Sequence, residues 1–157
     1  MGTALDAGIN FIDTSDSYNE GRSESMIGNY LAESGRRDNV VLATKYRSKV
    51  GAGINDIGAS RYHIVRAVEN SLRRLRSDRI DLLYCHSLDA ETPVEETLRA
   101  VDDLIHQGKV VYAGVSNFPT WVLAKSLWVS DVKNLFRYEA IQSVFNILQP
   151  GLGREMV

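Results

Sequence analysis

The chain has 157 residues, with 18 Lys and Arg against 20 Asp and Glu, for a formal charge of −2. That length predicts one domain, and a content of 44% hydrophobic and 24% charged residues excludes a disordered or collagen-like chain. The balanced charge argues against general nucleic-acid or anionic-membrane binding, and no apolar run reaches the roughly 18 residues of a membrane span.

The N-terminal Met1-Gly2-Thr3-Ala4-Leu5-Asp6 lacks a basic segment followed by an apolar one, so no signal peptide is expected. A single cysteine, Cys85, cannot form an internal disulfide, and a reducing, cytoplasmic setting is the default. Thr3–Ala7 reads as the last turn of a helix closed by Gly8. The β-like run Ile9–Asp13 follows, then a helix from about Glu24 to Glu33 with Met26, Ile27, Tyr30 and Leu31 on one face. Val40–Thr44 is the second β-run. After a polar loop, Ile64, Val68, Leu72 and Leu75 carry helical period behind a candidate N-cap, Ser60. Arg73, Arg74, Arg76 and Arg79 form a basic run that reads as a solvated helix face or as a charge match to that helix's C-terminus. Ile80–Cys85 is the third β-run, with Cys85 a core thiol. Thr92-Pro93-Val94-Glu95 predicts a capping box with proline at N1, ahead of Val94, Leu98, Val101 and Ile105. Gly108 fits the C′ position. Val110–Val115 is the fourth run, and a helix starting at Pro119 is expected to bury Val122, Leu123 and Leu127. Ala140–Phe145 is the fifth run, and Arg154–Val157 reads as the start of another helix.

The β-runs are apolar on both faces, as in parallel strands covered by helices. Repeated βα units imply right-handed crossovers and a parallel sheet, either a (β/α) barrel or an open doubly wound sheet. In both, chemistry collects at the C-terminal strand ends. Those ends carry Asp13, then Tyr18 in the next loop, Lys45, His86, Ser116-Asn117 and Gln142. Singly, each has a plain reading: Asp13 capping a loop, Tyr18 packing, Lys45 solvated, His86 a structural hydrogen-bonding group, Ser116-Asn117 a helix start. Their common position on one side of the sheet favours a site. A tyrosine, with an ordinary pKa of about 10, is a weak acid near neutrality. A lysine beside it favours the phenolate, and an aspartate can hold that lysine. A histidine can donate a hydrogen bond to a substrate oxygen. Together they could protonate a carbonyl oxygen as hydride reaches its carbon. Ser116, Asn117 and Gln142 suit a neutral amide such as a nicotinamide carboxamide. No metal-ligand spacing, phosphate loop or dinucleotide glycine fingerprint is present.

Gly8–Thr14, Tyr18 and Gly21-Arg22-Ser23-Glu24 resemble the first signature of the aldo-keto reductases. Ala43-Thr44-Lys45 resembles the family's lysine strand, and Ser71–Leu75, Asp78, Ile80–Leu82, His86 and Asp89 its histidine segment. Gly108–Phe118 and Gln142 with Asn146-Ile147-Leu148 are similar to two further family segments. The likeness runs from about residue 4 to 148. It implies an α/β fold, a partial (β/α)8 TIM barrel holding the second to sixth strands, with residues 1–157 as one incomplete domain. It also implies NADPH-dependent reduction of an aldehyde or ketone to an alcohol. By position, Asp13, Tyr18, Lys45 and His86 match the family's catalytic tetrad, with Tyr18 as proton donor. Ser116, Asn117 and Gln142 match its nicotinamide contacts. The first strand and everything after the sixth, including the residues that grip the cofactor's phosphates, have no counterpart, so weak or no activity alone is expected. The partner implied is a small carbonyl compound. Two alternatives stay open: a non-catalytic barrel-derived subunit that completes itself by homo-oligomerising through unpaired strand edges, and a flavodoxin-like nucleotide-binding sheet. Against the latter, Asp16 and Glu20 in the loop after the first strand disfavour an anion site.

Overall fold

Five strands lie side by side in chain order, all parallel, in a computed structural model that describes residues 1–148. They are β1 (Phe11–Asp13), β2 (Val41–Tyr46), β3 (Ile80–Cys85), β4 (Val110–Ser116) and β5 (Ala140–Gln142). The helices are α1 (Gly2–Asp6), α2 (Arg22–Ser34), α3 (Arg61–Leu75), α4 (Val94–His106) and α5 (Thr120–Lys133). A doubly wound sheet reverses its strand order at a switch point and carries helices on both faces. Here the order never reverses, and α2 to α5 pack one against the next. The result is a curled half-barrel of the (β/α) type, as the resemblance implies. The helix expected at Arg154–Val157 lies outside the described residues.

The core is asymmetric across the sheet. Leu42, Leu83, Val115 and Cys85 point toward the helices and join Leu31, Ile64, Val68, Leu75, Val101 and Leu104 in one buried cluster. The opposite, concave face holds only a small cluster of Ala43, Leu82 and Tyr84. Phe11, Val41 and Tyr112 are exposed, so the expectation of strands covered on both faces holds for only part of the sheet.

Local signals account for most helix boundaries. The Ser60 hydroxyl accepts a hydrogen bond from the His63 amide at 3.3 Å and opens α3, which buries Ile64, Val68, Leu72 and Leu75. Gly108 takes a positive φ of 71° just past α4, in the C′ role. The capping box is a correction. Pro93 is the extended N-cap residue, not N1, and the Thr92 hydroxyl donates to Asp89 at 2.8 Å instead of capping the helix. Asp89 also accepts from the Ala59 amide at 2.7 Å, so it outcompetes the helix terminus for that hydroxyl. Helix α5 differs too. It buries Val122, Ser126 and Ser130, leaves Leu123 and Leu127 half-buried, and turns Trp121 and Trp128 outward. Strand β5 is shorter than expected, with Val144 and Phe145 exposed beyond it.

Two helices meet closely at Gly28 of α2. A Cβ there would stand 2.4 Å from the Arg74 carbonyl oxygen and 2.5 Å from the Leu75 carbonyl carbon. Both obstacles are backbone, so α2 and α3 would have to separate. Gly28→Ala should lower stability by about 1–3 kcal/mol, read as an earlier urea unfolding midpoint.

Candidate active site

The register across the strand ends sets the site. Asp13 pairs with Ala43, and Lys45 with Tyr84, which pairs in turn with Gly114. After β1 the chain stays beside β2, where the Thr14 amide donates to the Ala43 carbonyl at 3.0 Å and the Asp16 amide to the Lys45 carbonyl at 3.1 Å. The segment Tyr18–Gly21 then forms a short 3-10 turn in which Asn19, Glu20 and Gly21 all take positive φ. Left-handed backbone at two non-glycine residues is unusual. It reverses the chain directly after Tyr18 and leaves that ring above the strand ends.

Lys45 lies at the centre, with its side chain wholly covered. Its ammonium donates to Asp13 Oδ2 at 2.5 Å, to the Thr14 carbonyl at 3.0 Å and to the Tyr18 hydroxyl at 3.4 Å. Those three contacts use all three donors of the group. Burying an ammonium is costly unless it is paired and hydrogen-bonded in this way. Lys45 Nζ also sits 5.1 Å from the centre of the Tyr18 ring. The His86 ring stands edge-on to Tyr18, with centroids 5.7 Å apart and planes at 73°. Tyr18 is 40% exposed. Burial first, and the Lys45 cation second, hold the His86 imidazole below its ordinary pKa. Burial, with the Asp13 charge adding to it, raises the Tyr84 phenol. The structure therefore brings Asp13, Tyr18, Lys45 and His86 together.

The other three residues form a second group. Cys85 pairs with Val115 and Ser116 with Gln142, which puts His86, Ser116 and Gln142 at one level across neighbouring strands. The Asn117 amide N–H donates to the Gln142 carbonyl at 2.9 Å, and its side chain donates to Ser116 Oγ at 3.0 Å. Gln142 thus joins through its backbone. Its side chain is half-buried.

Several residues at the site escaped the sequence reading. Ser15 Oγ and Ser48 Oγ lie 3.3 and 3.2 Å from His86 Nδ1. Behind them, Asp16 and Glu24 are 3% and 0% exposed. Glu24 accepts from the Thr44 hydroxyl at 2.6 Å and from Arg74 Nε at 2.6 Å. Arg74 therefore does not belong to a solvated basic face, and Arg79 likewise reaches Asp38 and Asp81. The only legible hint was Glu24 within the family signature. Cys85 is buried, and burial pushes its thiol up to about 12, so it is an inert core group. Among the described residues no three His, Cys, Asp or Glu are grouped to hold a metal ion, and no helix is long and apolar enough to cross a membrane.

Burial, with the Glu24 charge second, raises Asp16 from an ordinary 3.8 to about 7. Between those values the folded chain holds a proton that the unfolded chain releases. Stability is then fullest below pH 3.8 and falls as pH rises toward 7. The difference is of order 4 kcal/mol. Asp16→Asn removes the ionisable acid. In urea unfolding it should stabilise the chain by a few kcal/mol at pH 8 and change little at pH 4. A stabilisation equal at both pH values would contradict the burial of an ionisable carboxyl.

The fold is an α/β half-barrel that gathers a phenol, an ammonium, a carboxylate and an imidazole at its strand ends. The aldo/keto reductase family model matches residues 1–156, and the chain belongs to that family. It is 32% identical to an aryl-alcohol dehydrogenase of Pestalotiopsis microspora over 164 aligned positions, covering 100% of this chain and 42% of that protein. It is 39% identical to a probable voltage-gated potassium channel subunit beta of Oryza sativa subsp. japonica, covering 90% and 43%. An uncharacterized oxidoreductase of Bacillus subtilis is 39% identical, covering 95% and 48%. The chain thus spans less than half the length of these relatives.

Proposed function

We propose that this chain carries the proton-donating site of an aldo-keto reductase, acting with NADPH to reduce a small aldehyde or ketone to an alcohol. The observation that carries the reading is the buried Lys45 ammonium, held between the Asp13 carboxylate and the Tyr18 phenol. In this reading Tyr18 gives its proton to the carbonyl oxygen. Lys45 stabilises the phenolate left behind, Asp13 balances and anchors Lys45, and His86 donates a hydrogen bond to the same oxygen. Ser116, Asn117 and Gln142 offer a hydroxyl and two amides at one level of the sheet, which fits the carboxamide of a nicotinamide ring. Bound NADPH would supply the hydride. Residues 1–157 would form one incomplete barrel domain. The inert Cys85 thiol fits a cytoplasmic setting.

The 157-residue chain by itself should turn over slowly. Among the described residues, strands β1 and β5 each pair on one side only, and Phe11, Val41 and Tyr112 are exposed on the concave face. The test is NADPH oxidation at 340 nm (an assay wavelength) with an aromatic aldehyde, comparing the wild-type chain with Tyr18→Phe. Turnover that survives unchanged in the variant would overturn the reading.

The same open edges favour a second reading, a non-catalytic subunit that completes its sheet with another copy. Two of the relatives are named as probable channel beta subunits. Native mass measurement separates the two: a stable oligomer without NADPH oxidation supports the subunit, whereas a monomer with turnover lost in Tyr18→Phe excludes it.

A further inference from the structure

The Ser15 hydroxyl stands between two groups that the proposed chemistry leaves unconnected. It lies 3.3 Å from His86 Nδ1 and 3.3 Å from Asp16 Oδ1. Asp16 is buried, and its other oxygen, Oδ2, has no hydrogen-bond partner. Among the described residues the side-chain hydrogen bonds of the His86 ring all fall on Nδ1, from Ser15 and Ser48. We propose that Asp16 is a positioning residue which, while it holds a proton, sets the tautomer of His86 through the Ser15 hydroxyl.

The argument is one of donors and acceptors. A serine hydroxyl has one donor and two acceptor lone pairs. A neutral carboxylic acid has one donor. Placed on Asp16 Oδ1, that proton points at Ser15 Oγ, whereas on Oδ2 it would meet no acceptor. The Ser17 amide also donates to Ser15 Oγ, at 3.3 Å. With both lone pairs filled, the single Ser15 O–H has three acceptors in reach: Ser17 Oγ at 3.0 Å, His86 Nδ1 at 3.3 Å and the Lys45 carbonyl at 3.5 Å. The Lys45 carbonyl already accepts from the Asp16 amide, and an imidazole nitrogen is a stronger base than a hydroxyl, so the O–H turns to His86 Nδ1. Nδ1 is then an acceptor, so the neutral ring carries its hydrogen on Nε2. An Nε2–H is the form that can donate to a substrate oxygen, which is the role the reductase reading gives His86 and on which this inference rests.

Loss of the Asp16 proton reverses the chain of bonds. The carboxylate takes the Ser15 O–H in a charge-assisted bond, and His86 Nδ1 becomes the donor toward Ser15. The ring then carries its hydrogen on Nδ1, and Nε2 is an acceptor. Ser48 remains beside Nδ1 in both states, so the balance shifts without becoming complete. The charged groups around Asp16 oppose one another: Glu24 of α2 favours the neutral acid and Arg74 of α3 the carboxylate. Lys45 of β2 meets the Asp16 amide through its carbonyl. Around His86, Lys45 and Arg47 disfavour a ring cation and Asp13 favours it, so the ring is neutral while Asp16 titrates near pH 7.

Long-range proton–nitrogen correlation spectra of the nitrogen-15-labelled 157-residue chain test this without any turnover. His86 is identified by the resonance lost in His86→Gln. The expected result is a neutral ring protonated mainly on Nε2 near pH 6.5, with a growing Nδ1–H share as pH rises to 8.5. Asp16→Asn, whose side-chain amide can still donate to Ser15, should hold the Nε2–H form across the range. Ser15→Ala should remove the pH dependence. A wild-type tautomer balance that stays constant between pH 6.5 and 8.5 overturns the proposal, as does a shift that persists in Asp16→Asn. Because the spectra need no cofactor, a relay that behaves as expected in a chain whose NADPH oxidation is unchanged by Tyr18→Phe would support the relay and count against the reductase reading.

Discussion

Tyr18→Phe should cut NADPH-dependent turnover of an aromatic aldehyde by at least about 100-fold, the lower end of what a positioned general acid contributes. The change deletes one oxygen. The ring stays, and with it the edge-on contact to His86 and the position over Lys45. A side chain that is 40% exposed contributes little to the core, so the fold should survive. Lys45 keeps its bonds to Asp13 and to the Thr14 carbonyl. The loss should therefore fall on kcat, with cofactor binding unchanged. A loss of less than about threefold would mean that the carbonyl oxygen takes its proton elsewhere.

The largest expected loss of stability is at Glu24. Its side chain is fully buried and holds three elements together: α2, on which it sits, β2 through the Thr44 hydroxyl, and α3 through Arg74. Glu24→Ala leaves the Arg74 guanidinium without its carboxylate and the Thr44 hydroxyl without its acceptor. Breaking a buried pair from one side costs about 3–5 kcal/mol. Arg74 is 29% exposed and can regain some water, which points to about 3 kcal/mol. Urea unfolding at pH 7 reads it directly. The same substitution removes a charge that raises the Asp16 acid. The stability difference between wild type and Asp16→Asn at pH 8 should therefore shrink in a Glu24→Ala background. A loss under about 0.5 kcal/mol would mean that the pair only breaks even against its desolvation.

The parallel half-barrel was legible because Leu42, Leu83, Cys85, Ala113 and Val115 are buried against the helices, and the apolar runs of β2, β3 and β4 report that burial. The fifth strand misled for the same reason. Val144 and Phe145 are as apolar as any strand residue, yet nothing covers them among the described residues. In α5, serines face inward and tryptophans outward, so hydrophobic period alone assigned Leu123 and Leu127 more burial than they have. Thr92 was read as a cap because local spacing cannot show that Asp89 competes for its hydroxyl.

The candidate tetrad was legible for a topological reason. Strand ends of parallel sheets converge, so Asp13, Lys45 and His86 could be placed together before any coordinates. Tyr18 was placed with them from its position in the loop after the first strand, but the turn that positions it, with left-handed backbone at Asn19 and Glu20, was not legible. The acids behind the site were not legible. Asp16 looks like an ordinary loop carboxylate, and the charges that act on it, Glu24 and Arg74, come from two helices further along the chain. Long-range interaction of that kind leaves no local pattern.

A double-mutant cycle on NADPH oxidation by Tyr18→Phe, Lys45→Met and the two combined tests whether the phenol and the ammonium act as one unit. Groups that act only together give strongly non-additive losses. The double variant should be about as slow as Tyr18→Phe alone. Losses that multiply would mean that Tyr18 and Lys45 act independently, and would contradict a shared proton-donating site.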